Sequence, residues 1–198
     1  KGVCGLDFSG NCFTANFKKF EPLFQYARTV HNIPCTIHFA ECSNFEDSFD
    51  ILKFGPERLG HAAVLNQELE NELLKSRIPI EVCLTSNILC KLHDSYNVHP
   101  FRKFYQFNHP MAICTDDIGV FDTTLCKEYA LLAHSEYSGD MLGNVHAEQE
   151  LKQRLFDISR NTIPLCFCSE TVKEQLRAEF EQFALEHGLI VNNSSSEY

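Results

Sequence analysis

The sequence predicts an α/β protein with a parallel β-sheet. Up to residue 117, short apolar segments alternate with longer amphipathic segments of helical periodicity, and only helical patterns follow. Segments such as Ile80–Leu84 are almost continuously apolar, which is typical of strands buried on both faces. Five βα units are too few for an eight-stranded barrel, which typically needs about 250 residues. Two architectures stay open: a doubly wound sheet, or a barrel with three units missing at the N-terminus.

The predicted strands are short and are separated by helices. The strands lie at Val3–Phe8, Cys35–Phe39, Arg58–His61, Ile80–Leu84 and Ala112–Thr115. The helices lie at Asn16–Asn32, Phe45–Phe54, Gln67–Ser76, Phe101–Phe107, Thr123–Tyr137, Ala147–Arg160 and Ser169–His187. Pro34, Pro79 and Pro110 stand at strand starts, where a missing N–H is tolerable. We expect residues 1–190 to form one domain and residues 191–198 to be a disordered tail.

Composition restricts the class of partner and the compartment. A formal charge of −10 argues against nucleic acid, whose backbone is bound by clustered Lys and Arg. No apolar run of about 18 residues occurs, so we expect no membrane span. The ten cysteines are scattered through apolar runs and are expected to be buried free thiols in a reducing compartment. We therefore expect a cytoplasmic monomer with a small-molecule partner. The start at Lys1 indicates an N-terminal truncation.

Nearly every predicted strand has polar residues at its carboxyl end. They are Asp7, Ser9 and Gly10 at the first strand, His38 and Glu41 at the second, His61 at the third, Thr85, Ser86 and Asn87 at the fourth, and Thr115, Asp116 and Asp117 at the fifth. The carboxyl ends of parallel strands meet at one edge of the sheet, where ligands and catalytic groups collect. The sequence therefore predicts a functional site at this edge.

The residue types at this edge favour a metal site. Each single histidine could instead be a hydrogen-bonded structural residue, and Asp116 with Asp117 could form a solvated turn. However, two adjacent carboxylates at a buried strand end repel each other unless a cation or a donor compensates them. Glu41 follows His38 by three residues, which places a carboxylate beside the imidazole. Histidine and aspartate ligands, with His61 and a glutamate nearby, indicate zinc with an open coordination position.

At these residues the chain resembles the adenosine deaminase family. The resemblance spans roughly residues 1–135 and rests on Thr36–Glu41 (TIHFAE), Arg58–His61 (RLGH), Glu81–Asn87 (EVCLTSN) and Cys114–Asp117 (CTDD), in the family's order. The CLTSN version, His109-Pro110, Asp117–Phe121 and Glu128-Tyr129 are similar to the adenosine deaminase-like branch. That branch hydrolyses N6-substituted AMP, notably N6-methyl-AMP, to IMP and an amine. The resemblance implies a partial TIM (β/α)8 barrel: about its last five βα units plus C-terminal helices.

The resemblance also implies roles for the residues at the strand ends. His38 and Asp116 would be ligands of one zinc ion. Glu41 would pass a proton to the purine N1, and His61 would orient the hydroxide that attacks C6. Ser86 would steady Asp116 through a hydrogen bond.

Two further residues are implied to contact the purine, and three departures from the family pattern stand beside them. Asp117 would hydrogen-bond N7, and the backbone N–H of Gly10 would meet N3. The family's His-x-His pair, which supplies two more zinc ligands, is absent from this sequence, so we expect the chain alone to be inactive. Ala62 stands where the family usually has glycine, and Asn11 stands where aspartate is common.

Three other interpretations compete with this one. A different zinc deaminase class uses His-x-Glu and Pro-Cys-x-x-Cys, and His146–Glu148 with Pro164–Cys168 resembles it superficially, although the cysteine spacing is wrong. Another metal hydrolase of the amidohydrolase superfamily would share strand-end His and Asp ligands. The third alternative is an inactive, truncated product.

Overall fold

A computed structural model describes residues 2–14, 16–134, 142 and 148–192. Its sheet has five parallel strands in the order in which they occur: β1 Leu6–Phe8, β2 Cys35–Phe39, β3 Arg58–His61, β4 Ile80–Val82 and β5 Met111–Ile113. A doubly wound sheet reverses its strand order at a switch point, whereas this sheet winds in one direction. The open-sheet alternative is therefore wrong, and the strands form part of a (β/α)8 barrel.

Helices follow each strand and continue to the end of the described chain. They are α1 Glu21–His31, α2 Phe45–Phe54, α3 Gln67–Ser76, α4 Leu84–Leu89, α5 Phe101–Gln106, α6 Ile118–Phe121, α7 Leu125–Ala133, α8 Glu148–Arg160 and α9 Glu170–His187. Single 3-10 turns lie at Phe17–Lys19, Tyr96–Val98 and Ile163–Leu165. The predictions for α2 and α3 are confirmed to the residue. Residues 135–137 and Ala147 of two predicted helices, and residues 193–198 of the predicted tail, lie outside the described residues.

Three prolines mark strand starts, as predicted. Pro34, Pro79 and Pro110 each directly precede a strand, so no ladder hydrogen bond is lost to their missing N–H. Their carbonyl oxygens accept the first hydrogen bonds of the neighbouring strands, from Leu6 at 2.9 Å, Leu59 at 2.8 Å and Ile80 at 3.0 Å. Each proline thus helps to set where the adjacent strand begins, and β1 starts at Leu6 rather than at the predicted Val3.

The fourth strand ends earlier than its apolar run predicts. Ile80–Leu84 was expected to be extended, but β4 stops at Val82 and α4 begins at Leu84. Thr85 is the second residue of α4, and its backbone N–H is a donor that the helix itself cannot satisfy. The Glu128 carboxylate of α7 accepts this N–H at 3.1 Å. A contact from a distant helix therefore stabilises the helix start, and no local pattern reveals it.

The two edges of the sheet have different surroundings. Its middle is packed with fully buried apolar side chains, among them Ile37, Leu59 and Ile80. At the amino-terminal edge, Arg58 donates to Glu81 at 2.5 Å and to the Leu165 carbonyl at 2.7 Å. The segment Pro164–Cys168 therefore lies at the edge opposite the predicted site, which argues against the rival cysteine motif. His146 and Ala147 of that motif lie outside the described residues.

The cysteines are free, but their predicted burial is only partly correct. Cys35, Cys42 and Cys83 are buried, whereas Cys4, Cys90 and Cys126 are exposed and the remaining four are intermediate. The exposed ones lie outside the strands, in loops and at helix ends, where apolar sequence neighbours do not ensure burial. Within the described ranges, no helix combines the length and apolar character needed to cross a bilayer.

The buried His109 gives the fold a pH-dependent stability. Burial lowers the pKa of His109 to about 4, against 6.5 for a free histidine. Since the folded pKa lies below the unfolded one, the contribution is complete above pH 6.5 and is lost as the pH falls towards 4. We expect roughly 3 kcal/mol of unfolding free energy to be lost through this group between pH 7 and pH 4.

Urea unfolding at several pH values measures this effect. His109→Gln keeps a donor for the Ile78 carbonyl, which His109 Nε2 contacts at 2.8 Å, and should flatten the decline. His31→Gln, at an exposed histidine that ends α1, is the matched control and should keep the parent slope. Equal slopes in both variants would contradict this origin of the pH dependence.

Candidate active site

Two histidines from neighbouring strands meet at the carboxyl edge of the sheet. In the β2–β3 register His38 lies opposite Gly60, and Phe39 lies opposite His61. The ring centroids of His38 and His61 are 4.8 Å apart, and His38 Nδ1 lies 3.2 Å from His61 Nε2. A Cβ atom on Gly60 would lie 3.3 Å from His38 Cα and 3.4 Å from its Cδ2. Glycine at this position therefore lets the two strands present both imidazoles at one place.

Three carboxylates surround the two imidazoles. Glu41 contacts both rings, with one oxygen 3.2 Å from His38 Nδ1 and the other 3.4 Å from His61 Nε2. Asp7, the middle residue of the short strand β1, lies 3.5 Å from His38 Nε2. Asp116, which follows β5, lies 3.8 Å from His61 Nε2. Residues from four strand ends thus converge, and the predicted grouping of His38, Glu41, His61 and Asp116 is present.

The carboxylates create a strongly negative environment. Burial by itself lowers the pKa of His38, because it disfavours the charged imidazolium. The carboxylates of Asp7 and Glu41 outweigh burial and raise the pKa of His38 to about 10. An environment that holds a proton this firmly also attracts a metal cation.

The backbone at these strand ends adopts a left-handed conformation. The φ angles are +54° at Ala40, +66° at His61, +51° at Ala62 and +57° at Asp116. This region costs a non-glycine residue roughly 1–2 kcal/mol. Such strain is concentrated at functional sites, where the surrounding structure enforces it. Here the left-handed residues turn the chain sharply after β2, β3 and β5. A glycine in place of Ala62 would adopt the same φ angle without this cost.

The Asp116 side chain is held, whereas Asp117 lies apart from the cluster. Ser86 is the third residue of α4, and its hydroxyl donates to Asp116 Oδ2 at 2.6 Å. This is the hydrogen bond that was predicted between the two side chains. Asp117 is the N-cap residue of α6 and is exposed. Among the described residues, its side chain makes no hydrogen bond to the two imidazoles or to the carboxylates around them. Its contact with a purine N7 stays a prediction.

A small cavity of about 30 Å³ adjoins the cluster. Gly10, His38 and Glu41 line it, together with Cys12 and Cys42. Gly10 has φ +144° and open space around its Cα, so its backbone is accessible to a ligand. A cavity of this volume has room for about one water molecule.

The donor atoms at this edge suit zinc. Among the described residues, two groups of three side chains could hold a metal ion. The first consists of His38, Glu41 and His61, and the second of His61, Cys83 and Asp116. Within each group, the possible ligand atoms lie within 4.8 Å of one another. Burial, followed by nearby Cys114 and Asp116, raises the pKa of Cys83 far above its usual range. Zinc accepts the nitrogen and oxygen donors of both groups. The predicted ligand His38 belongs to the first group and the predicted ligand Asp116 to the second, and His61 is common to both.

Two residues that the sequence analysis assigned no role stand behind His61. Asn87 Oδ1 lies 3.0 Å from His61 Nδ1, and Asn87 Nδ2 lies 2.9 Å from His99 Nε2. The backbone N–H of Phe101 donates to His99 Nδ1 at 3.1 Å. Asn87 is 0% and His99 3% exposed, so these contacts are shielded from water. The EVCLTSN motif contains Asn87, but nothing in the sequence around His99 indicates its position.

Glu128 is a third residue whose role was missed. It is 0% exposed and accepts hydrogen bonds from the backbone N–H and hydroxyl of Thr85 and, at 2.5 Å, from the Thr123 hydroxyl. Thr85 directly precedes Ser86 in α4, so Glu128 fixes the helix turn that carries the Asp116 donor. The only signal in the sequence was the Glu128-Tyr129 pair.

Comparisons with known proteins identify the family of the chain. The family model described as adenosine deaminase matches residues 1–183. The chain is 38% identical over 186 residues to the N6-mAMP deaminase of Arabidopsis thaliana, covering 94% of this chain and 49% of that relative. It is 33% identical over 186 residues to the N6-methyl-AMP deaminase of Homo sapiens, covering 90% of this chain and 48% of that relative. The chain therefore spans about half the length of the curated relatives it matches.

A solved structure gives the same result for the fold. The chain is similar to a crystal structure of Arabidopsis ADAL complexed with IMP, with a TM-score of 0.83 and 36% identity. The likeness covers 94% of this chain and 51% of that chain. It agrees with the strand order in placing the five βα units within a barrel.

The buried Glu128 carboxylate predicts a specific loss of stability. In Glu128→Gln, the Thr85 and Thr123 hydroxyls have to turn from donors into acceptors of the amide nitrogen, and the Thr85 N–H loses its charged acceptor. A hydrogen bond to a charged group contributes about 1.5–3 kcal/mol and a neutral one about 1 kcal/mol, so we expect a loss of unfolding free energy of about 1–2 kcal/mol. Urea unfolding at neutral pH measures it. Glu174→Gln, at an exposed glutamate of α9, should change the free energy by less than about 0.5 kcal/mol. An equally small change in Glu128→Gln would contradict the proposed anchoring.

Proposed function

This chain belongs to the adenosine deaminase family, and we propose that the full-length protein hydrolyses the 6-amino group of a purine nucleotide. The proposed substrate is N6-methyl-AMP, and the products are IMP and methylamine. The convergence of His38, Glu41, His61 and Asp116 at one sheet edge carries the proposal. The relatives named N6-methyl-AMP deaminase and the IMP bound to Arabidopsis ADAL support the choice of nucleotide.

The chain's own residues account for a metal site and its support. His38 and Asp116 would hold a zinc ion, which when bound supplies Lewis-acid activation of water. Ser86 would keep the Asp116 carboxylate in position through its 2.6 Å hydrogen bond. Two protein ligands do not complete the four-coordinate set that zinc usually has. For that reason the activity is proposed for the full-length protein rather than for these residues alone.

Hydrolysis at C6 also needs a proton donor and an oriented water. Glu41 would donate a proton to the purine N1, which makes the adjacent C6 more electrophilic. His61 would hold the attacking oxygen over C6 through Nε2, which faces the cluster. The backbone N–H of Gly10 would contact N3, and Asp117 would contact N7, both from the open side of the site.

Product analysis tests the proposed reaction. Full-length protein with zinc is incubated with N6-methyl-AMP, AMP and adenosine, and IMP or inosine is measured together with the released amine. We expect IMP and methylamine in equal amounts from N6-methyl-AMP, with a higher kcat/KM than for the other two. A higher kcat/KM for adenosine would contradict the nucleotide preference, and the absence of products from all three would overturn the function.

The role of Glu41 is tested separately. Glu41→Gln keeps the size of the side chain but removes its exchangeable proton, and kcat should fall by at least about a hundredfold with zinc still bound. Zinc content by atomic absorption and kcat by product formation measure the two effects. Glu46→Gln, at an exposed glutamate in the first turn of α2, is the matched control. Unchanged turnover in Glu41→Gln would remove Glu41 from the mechanism.

A further inference from the structure

We infer that Asn87 and His99 are positioning residues that fix His61 as the neutral tautomer with its proton on Nε2. His61 would then act towards the reacting centre as a hydrogen-bond donor. The catalytic meaning of this tautomer rests on the proposed function, whereas the tautomer itself follows from hydrogen bonds. Three contacts behind His61 determine it, one after another.

The first contact fixes His99. The backbone N–H of Phe101 donates to His99 Nδ1 at 3.1 Å, so that nitrogen must offer a lone pair. His99 is 3% exposed, and burial, followed by His93 and His61 nearby, lowers its pKa to about 3. The ring is therefore neutral at physiological pH and carries one proton. With Nδ1 unprotonated, this proton is on Nε2.

The second contact fixes the orientation of the Asn87 amide. Its nitrogen lies 2.9 Å from His99 Nε2 in the structure, which would bring two donors together once that Nε2 is protonated. The oxygen and nitrogen of an amide have nearly the same shape, so the hydrogen-bond network decides which end is which. Turning the amide by 180° places its oxygen towards His99 and its nitrogen towards His61. No other atom has to move.

The third contact fixes His61. After the turn, the Asn87 amide nitrogen donates to His61 Nδ1 across the 3.0 Å contact, so Nδ1 offers the lone pair. The neutral ring therefore carries its proton on Nε2.

The opposite side of the ring gives an independent check. His61 Nε2 faces His38 Nδ1 at 3.2 Å, Glu41 Oε1 at 3.4 Å and Asp116 Oδ2 at 3.8 Å. The two carboxylates are acceptors and favour a proton on Nε2, and the His38 nitrogen accepts this proton as well when it carries none of its own. The other tautomer would direct a lone pair at two carboxylates. The contacts on both sides of His61 thus select the same tautomer.

This assignment limits what His61 can do. A protonated Nε2 on a neutral ring cannot accept a proton from the attacking water, so His61 is not the general base at that atom. It can donate a hydrogen bond that holds the oxygen in place. The proton acceptors that remain beside the same Nε2 are the carboxylates of Glu41 and Asp116.

Nitrogen-15 NMR of the wild-type protein tests the tautomers directly. Full-length, zinc-loaded protein is labelled with 15N-histidine, and single substitutions assign the ring signals. The chemical shift of a ring nitrogen shows whether it is protonated. We expect Nε2 protonated and Nδ1 unprotonated in both His61 and His99. A proton on Nδ1 of either ring would overturn the inference, and so would a doubly protonated His61. The experiment needs no turnover, so failure of the proposed function would be seen separately.

Asn87→Asp tests the catalytic consequence. A carboxylate accepts from both sides, so it keeps the contact with His99 but should draw the His61 proton to Nδ1. We expect kcat for N6-methyl-AMP to fall at least about tenfold. KM should stay within about twofold, because Asn87 does not face the purine.

The control is His93→Gln, whose parent ring lies 5.1 Å from His99 but takes no part in the three contacts. It should keep both the His61 tautomer and kcat. An inverted tautomer in Asn87→Asp with unchanged kcat would overturn the catalytic role. If Asn87→Asp fails to fold, the wild-type spectrum still decides the tautomer, and a double-protonated or Nδ1-protonated His61 there would overturn the inference.

Discussion

The site depends on an excess of negative charge at one edge of the sheet. Asp7, Glu41 and Asp116 crowd around two imidazoles, in a place where burial makes uncompensated charge costly. The raised pKa of His38 is the response of a proton to this field. A metal cation would also neutralise this negative charge, but it would bind through the same imidazole lone pair that the proton occupies. Proton and metal therefore compete for His38, and the carboxylates favour whichever cation is bound.

Rigid elements hold this charged cluster together. The buried apolar core holds the strands in place. His61 and Asp116, whose backbones are left-handed, turn the chain sharply at the carboxyl ends of β3 and β5. Glu128 connects α7 to the start of α4, which carries Ser86 and Asn87. The residues of the charged cluster are thus supported by others outside it, as a site of defined geometry requires.

Local patterns predicted most of the fold, because strands and helices are encoded by the period of their apolar residues. The bounds of β2, β3, α2 and α3 follow the pattern to the residue. The end of β4 does not, since Leu84 continues the apolar run but belongs to a helix. That helix start depends on Glu128, 43 residues from Thr85, and no periodicity reports such a contact.

The same distinction applies to the site. His38, Glu41, His61 and Asp116 could be predicted because they lie at or just after the carboxyl ends of β2, β3 and β5, and parallel strands bring these ends together. The strand-end pattern and the family motif drew attention to Asn87, but not to its hydrogen bonds. His99 lies between a 3-10 turn and α5, and only the folded chain brings it to Asn87.

Two of the predicted residues, Glu41 and His61, also differ in their surroundings. The Glu41 side chain is 24% exposed, whereas His61 is 2% exposed and is restrained from behind by Asn87. The proposed reaction needs both a proton for a ring nitrogen and a positioned water, and this difference in exposure would keep the two tasks on separate residues.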